Sequence, residues 1–130
     1  MIVFDASSIL EWLLQTAVGQ RIDQRLPWAS ESLHAPHLLD VEVAHALRRL
    51  VRKGFIAPDR ADEAIADLAD LRIRRYPHLP LLPRAWELRH NLPAYDGAYV
   101  ALAEALPARL VTCDRRLASA SGHMAAIEFF

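Results

Sequence analysis

The sequence predicts an α/β protein with an open, mostly parallel sheet and helices on both faces. Short apolar segments rich in Val, Ile and Leu alternate with longer stretches of helical periodicity, in the order β-α-α-β-α-α-β-α-α-β-α-β. No internal repeat, low-complexity tract or linker interrupts this order. The 130 residues therefore predict a single domain spanning residues 1–130.

The first elements are a short strand and two helices. Residues 1–4, MIVF, are apolar and predict a buried strand that ends at Asp5. The polar segment after Asp5 offers N-cap candidates for a helix that begins with ILEWLL. A second helix is expected over about 16–30, with Pro27 near its end.

The middle of the chain repeats this arrangement. A short strand over 33–35 stops at a proline, and a long helix follows over about 37–53. Gly54 is a natural residue to end that helix. Pro58 opens the next helix, and the alternating segment 71–76 predicts a third strand.

The last third carries five expected elements. They are helices over 81–91 and about 95–105, a strand over 109–113, a short helix over about 114–121 and a final strand over 126–130.

Composition is ordinary for a globular protein, with 53% hydrophobic and 24% charged residues. The net charge is −1, from 15 basic and 16 acidic residues, which argues mildly against a nucleic-acid partner. Lys53 is the only lysine, and arginine binds phosphate in a bidentate way, although genomic base composition is the simpler cause of that bias.

The location expected from the sequence is the cytoplasm. No apolar run is long enough to cross a bilayer, and the N-terminus does not resemble a signal peptide. Cys113 is the single cysteine, which excludes an intrachain disulfide and most cysteine-based zinc sites. We expect it to be a small buried residue near a strand end.

Three acidic residues lie at the ends of predicted strands or at the helix starts beside them. Asp5 directly follows the first strand, Asp114 follows LVTC, and Asp96 lies near the start of a helix. Ligands of open parallel sheets bind outside the carboxyl ends of the strands, so these acids are candidates for a site. Each acid also fits an N-cap on its own, but capping does not explain why all three occur at corresponding places.

Glu42 lies within the otherwise apolar segment LLDVEVAHAL. A helical wheel places it at the border of the apolar face, where a carboxylate loses part of its hydration. The alternative interpretation is a glutamate that extends its carboxylate to solvent or pairs with arginine, since Arg49 and His45 lie on the same side of the helix.

Four carboxylates without clustered histidine or cysteine form an oxygen-rich site that suits Mg²⁺ or Mn²⁺ better than zinc. Carboxylate-held Mg²⁺ is typical of phosphoryl chemistry. Phosphate-binding glycine loops of the dinucleotide or P-loop type are absent.

Four segments together resemble the motifs of PIN-domain nucleases, and their order and the chain length resemble VapC-type toxins of toxin–antitoxin pairs. These segments are MIVFDASSIL, the internal Glu42, YDGAYVALAEAL and LVTCDRRLA. The resemblance covers essentially the whole chain. It implies a three-layer α/β/α fold with a five-stranded parallel sheet, and Mg²⁺- or Mn²⁺-dependent cleavage of RNA.

By the same resemblance, four residues take the places of the family's acidic quartet: Asp5, Glu42, Asp96 and Asp114. Asp5 and Asp96 would be the firmest metal contacts, and Asp114 would bind directly or through water. Glu42 would position a water or assist the nucleophile. External water as nucleophile implies products with 5′-phosphate and 3′-hydroxyl ends.

Four further residues are expected to support the site or the substrate. Ser7 and Thr112 fall at hydroxyl positions of the family and would orient ligands or waters, although a cap and an ordinary strand threonine explain them equally well. Many relatives carry another acid where this chain has Arg116, which favours one metal over two. Arg115 and Arg116 would contact the RNA backbone or form a solvated helix face.

The resemblance also implies partners. A cognate VapB-type antitoxin would wrap the toxin and place basic or polar groups at the acidic cleft, and the substrate would be a structured RNA such as tRNA or rRNA. The relatives usually form homodimers, for which the apolar helices around 37–69 offer a surface.

Other functions stay open from the sequence. They are a PIN-like enzyme of RNA processing or one acting on DNA, a PIN-like binding module without activity, and a phosphatase-like or receiver-like domain. The phosphatase-like or receiver-like interpretation has little support, because this sequence has no acidic pair after the first strand and no lysine near the C-terminal end.

Overall fold

Five parallel strands form the centre of the computed structural model, which describes residues 1–130. The strands are β1 Ile2–Phe4, β2 Leu33–Pro36, β3 Ile73–Tyr76, β4 Arg109–Thr112 and β5 Ile127–Phe129. Their spatial order is β3-β2-β1-β4-β5, and every neighbouring pair is parallel. The expected five-stranded sheet is thus confirmed, and it is parallel throughout.

Seven α-helices connect the strands. They are α1 Ala6–Leu13, α2 Ala17–Arg25, α3 Leu38–Arg52, α4 Pro58–Asp70, α5 Leu82–Glu87, α6 Ala94–Ala105 and α7 Arg115–Ala118. A single 3₁₀ turn over Leu79–Leu81 precedes α5. The predicted order of elements is confirmed in full.

The direction of the connections distributes the helices over two layers. The chain moves from β1 through β2 to β3 along one direction, and then returns past β1 to β4 and β5. Right-handed crossovers therefore place α1 to α4 on one face of the sheet and α5 to α7 on the other. The packing agrees, because α1 contacts α2, α3 and α4, whereas α6 packs on α5 and lies against β1, β2 and β4.

Burial explains why β1 occupies the centre. Ile2, Val3 and Phe4 are each fully buried, as expected for a strand covered on both faces. On the side of Phe4, the indole rings of Trp12 and Trp28 stack with centroids 4.3 Å apart, and the phenyl ring packs beside both. This aromatic stack ties α1 to the loop before β2.

Some helix ends differ from the sequence prediction. Helix α2 ends at Arg25 rather than near residue 30, because Leu26 adopts extended dihedral angles (φ −91°, ψ 135°) and a proline follows at 27. The α conformation is disfavoured directly before proline. Helix α5 is shorter than the predicted 81–91, and its Trp86 is exposed. Gly54 follows the end of α3 with φ +74°, which confirms its predicted role.

No helix combines the length and the hydropathy that a membrane span requires.

Candidate active site

The carboxyl edge of the sheet carries the four predicted acids. Asp5 follows β1, and Asp114 follows the adjacent β4, which pairs with β1 through Phe4 and Val111. Helix α3 begins just after β2 and carries Glu42 in its second turn, and Asp96 lies in the first turn of α6. Because β1 and β4 are neighbours, Asp5 and Asp114 lie at adjacent strand ends.

Asp5 is the most buried of the four, with 4% of its surface exposed. Its carboxylate accepts hydrogen bonds from the Ser8 backbone amide at 2.9 Å and from the Thr112 hydroxyl at 2.6 Å. The hydroxyls of Ser7 and Ser8 lie 2.8 Å from the same carboxylate. Burial raises the pKa of Asp5, while the hydrogen bonds from Thr112, Ser8 and Ser7 oppose that rise.

Ser7 and Thr112 join the first and fourth strands at this point. The Ser7 oxygen accepts a hydrogen bond from the Cys113 amide, and the Thr112 oxygen accepts one from the Asp114 amide, each at 2.9 Å. Both hydroxyls thus hold Asp5 on one side and the turn after β4 on the other. Ser7 is not a helix cap, because Asp5 occupies that position for α1.

Asp96 differs from the other acids because no protein group donates a hydrogen bond to its carboxylate. Burial, and then repulsion from Asp114 and Asp5, raise its pKa to about 6. It is not the cap of α6 either, since Pro93 occupies the N-cap and makes no side-chain hydrogen bond. The capping interpretation therefore holds for Asp5 and Asp114 but is wrong for Asp96.

Glu42 accepts a hydrogen bond from the hydroxyl of Tyr99, which is itself buried on α6. Burial raises the pKa of Glu42, and repulsion from Asp96 and Asp5 adds to that rise, while the Tyr99 hydrogen bond opposes it. Burial likewise raises the pKa of Tyr99, helped by the negative charge of Glu42. No ion pair joins Glu42 to Arg49 or His45, so the paired interpretation of Glu42 is wrong.

Two residues that donate hydrogen bonds to the acids, Ser8 and Tyr99, were not predicted from the sequence. Each lies three residues after an acid, Ser8 after Asp5 and Tyr99 after Asp96. One helical turn therefore brings each back to the same edge as its acid. That spacing was the available signal.

Cys113 is half-buried rather than buried, which corrects the sequence expectation. Burial, followed by the charges of Asp5 and Glu11, raises the pKa of its thiol to about 12. The thiol therefore stays protonated at neutral pH.

Arg115 and Arg116 both project from α7 into solvent. The guanidinium of Arg115 lies over the ring of Phe129, 5.7 Å from its centroid. The Arg116 backbone amide donates to Asp114, which caps the helix.

The chemistry of the donors fits a hard divalent cation. The cluster contains only carboxylate and hydroxyl oxygens, the neighbouring acids add to the raised pKa values of Glu42 and Asp96, and the Asp96 carboxylate has no protein donor. A cation would offset this repulsion. In the conformation of the structure, however, no three acidic, histidine or cysteine side chains stand close enough together to hold one ion. Ion binding would therefore require the less tightly held carboxylates to turn toward Asp5.

Residues 2–122 match the PIN domain family over most of the chain. The protein belongs to that family. Two curated relatives place it with the VapC proteins of the PIN family. It is 43% identical to Ribonuclease VapC12 of Mycobacterium tuberculosis over 128 residues, which is 98% of each chain. It is 45% identical to Ribonuclease VapC1 of the same organism, over 92% of this chain and 90% of that one.

A solved structure supports the fold independently. PAE2754 from Pyrobaculum aerophilum superimposes with a TM-score of 0.69 at 26% sequence identity, over 97% of this chain and 81% of that one. The three-layer PIN-like architecture expected from the sequence is confirmed.

Proposed function

We propose that this PIN domain protein is a Mg²⁺-dependent endoribonuclease toxin of a type II toxin–antitoxin pair. The observation that carries the proposal is the convergence of four carboxylates from β1, α3, α6 and the turn after β4 at one edge of the sheet. The VapC relatives, which are ribonucleases by name, support RNA as the substrate.

Three residues would hold the ion: Asp5, Asp96 and Asp114. Bound Mg²⁺, or Mn²⁺ in its place, would neutralise phosphate charge and lower the pKa of water. Asp5 is kept in place by the hydroxyls around it, so its orientation does not have to be selected when an ion arrives. Asp96 supplies the carboxylate that lacks other partners.

Glu42 would accept the proton of the attacking water. Its raised pKa brings it closer to neutral pH than an exposed glutamate, as a general base requires. Tyr99 positions the carboxylate by its hydrogen bond. Attack by water at phosphorus displaces the 3′ oxygen, which leaves 5′-phosphate and 3′-hydroxyl ends.

A groove beside the acids fits the antitoxin partner expected of a VapC protein. A cavity of about 600 Å³ lies between α1 and α3, with Leu10, Val41 and Tyr95 among its walls and Ser7 and Glu42 at one end. Val41 and Tyr95 are 73% and 67% exposed. An antitoxin segment seated on these apolar residues would bring a basic side chain to the acids and block them.

Purified protein and a matched pair of variants test the catalytic proposal. Asp96→Asn should abolish cleavage of a structured RNA in Mg²⁺ while leaving the fold intact, and the same result is expected for Asp5→Asn. Asp62→Asn, an exposed acid on α4, should cleave like the parent protein. Full activity of the Asp96→Asn variant would show that the proposed catalytic site is wrong.

Conditional expression tests the toxin role. Growth arrest together with new, discrete RNA 5′ ends would identify the target and distinguish a toxin from an RNA-processing enzyme. Unchanged RNA with normal growth would favour a binding module. Co-expression with a cognate antitoxin should restore growth, and a Val41→Asp variant should escape that restoration.

A further inference from the structure

A basic cleft separate from the groove between α1 and α3 shares no lining residue with it. Its volume is about 800 Å³, and its walls come from α2, α7 and the end of β5. Three arginines, Arg21, Arg25 and Arg115, line it together with Glu128 and Phe129. We call it the arginine cleft.

The arginine cleft carries an excess of positive charge that the protein itself does not neutralise. Its one acidic side chain, Glu128, already pairs with Arg25 at 3.5 Å and with Arg109 at 3.1 Å. Arg21 and Arg115 take part in no ion pair of the structure. Two unpaired guanidinium groups therefore face a solvent-filled space, in a protein whose net charge is −1.

The topology places this cleft next to the acidic site. Because β5 runs parallel to β4, Phe129 lies at the same edge of the sheet as the turn that holds Asp114. Arg115 directly follows Asp114 in sequence, and the charge of Arg21 acts on the thiol of Cys113, which precedes Asp114. An RNA strand whose scissile phosphate lies at the acids would therefore reach the arginine cleft within a few nucleotides.

The aromatic ring of Phe129 indicates what kind of ligand the arginine cleft would bind. Phe129 is 46% exposed, and the Arg115 guanidinium lies over its ring. Cationic groups that follow a phosphate backbone, combined with exposed aromatic or guanidinium planes on which bases stack, are typical of single-stranded nucleic-acid binding. A base-paired duplex would offer phosphates but no free base face.

We propose that the arginine cleft binds unpaired nucleotides that flank the scissile phosphate, with Arg21 and Arg115 on the phosphates and Phe129 against a base. The proposal rests on the proposed ribonuclease function and names the part of the substrate that this side of the site reads. The proposal gives a phosphate-binding role to Arg115 but not to its neighbour Arg116, because Arg116 does not line the cleft.

The test measures binding apart from cleavage. In an Asp96→Asn background, the affinity for a short fluorescein-labelled oligouridine is measured by fluorescence anisotropy over a range of KCl concentrations. The variant Arg21→Ala/Arg115→Ala should bind roughly ten-fold more weakly or worse, and the slope of log K against log salt should fall in magnitude by about 1.4, the value for two phosphate contacts on a single strand.

Arg48→Ala/Arg52→Ala is the matched control. It removes two exposed arginines from α3 that take part in no ion pair. Its affinity and salt slope should equal those of the background. Phe129→Ala should weaken binding without changing the salt slope, since stacking releases no counterions. Thermal unfolding of every variant shows that the fold is kept.

The outcomes separate this proposal from the proposed function. If the cleft variant binds oligouridine like the control, and the same two substitutions in protein that keeps Asp96 leave RNA cleavage at the parent level while Asp96→Asn alone is inactive, the arginine cleft is not a substrate site and the ribonuclease proposal stands. If the parent protein cleaves no RNA yet the cleft variant loses oligouridine binding, the ribonuclease proposal is wrong and the cleft still binds RNA. Normal RNA binding with lost antitoxin inhibition, or with an altered elution volume, would assign the cleft to a protein partner.

Discussion

Tyr99 and Glu42 come from opposite helical layers and meet at the carboxyl edge of the sheet. The Tyr99 hydroxyl on α6 donates to the Glu42 carboxylate on α3, and this contact bridges the two layers beside the acidic cluster. Because Tyr99 is buried, the contact has little competition from water. The bond favours the ionised form of Glu42 in an environment that otherwise disfavours it.

Tyr99→Phe removes that donor and little else. We expect the pKa of Glu42 to rise further, so that the acid limb of the pH profile for RNA cleavage moves to higher pH. Loss of one buried hydrogen bond should lower the free energy of unfolding by about 1 kcal/mol. Tyr95→Phe, at an exposed tyrosine of the same helix, is the control and should leave the profile unchanged. An unmoved acid limb in Tyr99→Phe would show that Glu42 does not set it.

Thr112→Val tests how the fourth strand holds Asp5. Thr112 is fully buried, and its hydroxyl donates to Asp5 and accepts from the Asp114 amide. The isosteric valine leaves the Asp114 amide without its acceptor and removes one of the donors to Asp5, so we expect a loss of about 1–3 kcal/mol in urea unfolding and a clear loss of cleavage.

Thr112→Ser provides the rescue for this prediction. It keeps the hydroxyl and removes one methyl group, so activity should return even though about 1 kcal/mol of packing free energy is lost. If the serine variant were as inactive as the valine variant, the hydroxyl would not be sufficient to restore the site and the prediction would be wrong.

The strand ends could be predicted from the sequence, whereas the contacts between them could not. The short apolar strands that end at Asp5 and near Asp114 can be recognised from the sequence. Hydrophobicity and the residues that end a strand are both properties of a short stretch of sequence. The hydrogen bond from Thr112 to Asp5 depends on β1 and β4 being neighbours, which the order of strands in space decides. That order follows from the long-range packing of the whole chain.

Contacts between the helical layers were still harder to predict from the sequence. The meeting of Tyr99 with Glu42 depends on the rotation of α6 about its axis, and the arginine cleft joins α2 to residues more than ninety positions later. Periodicity indicates which face of a helix is buried, but it does not say which residue of another helix it meets. The resemblance to PIN domains indicated the acids, since these are shared by motif, and the sequence offered Arg115 as an RNA contact, but neither pointed to Arg21 or Arg25.

Asp96→Asn should stabilise the ion-free protein at neutral pH. The folded-state pKa of about 6 lies above the ordinary value of 3.8, so the folded chain binds more protons than the unfolded one between these two pH values. Stability is therefore lost as the pH rises through that window. The full shift corresponds to about 3 kcal/mol, and solvent screening of this part-exposed group reduces the expected gain to about 1–2 kcal/mol.

Urea unfolding in EDTA at several pH values measures this effect. The gain of Asp96→Asn over the parent should be present above pH 6 and vanish below pH 3.8. Asp62→Asn should show no such dependence. Added Mg²⁺ should stabilise the parent more than Asp96→Asn, because an ion bound to the folded state alone adds to its stability. Equal Mg²⁺ stabilisation of both proteins would argue against Asp96 as a ligand.

Gly97 decides how closely α5 and α6 approach beside Asp96. A Cβ atom at Gly97 would lie 3.1 Å from both Cα and Cβ of Ala85, closer than ordinary packing allows. Gly97→Leu should therefore separate the helices and lower the free energy of unfolding by about 1–3 kcal/mol. Since Asp96 precedes this contact, cleavage should fall as well. Ala85→Gly frees space at the contact, so the double variant should recover part of both losses, which a double-mutant cycle on unfolding and on cleavage measures. Strict additivity of the two substitutions would show that the helices adjust elsewhere and that the close approach at Gly97 does not position Asp96.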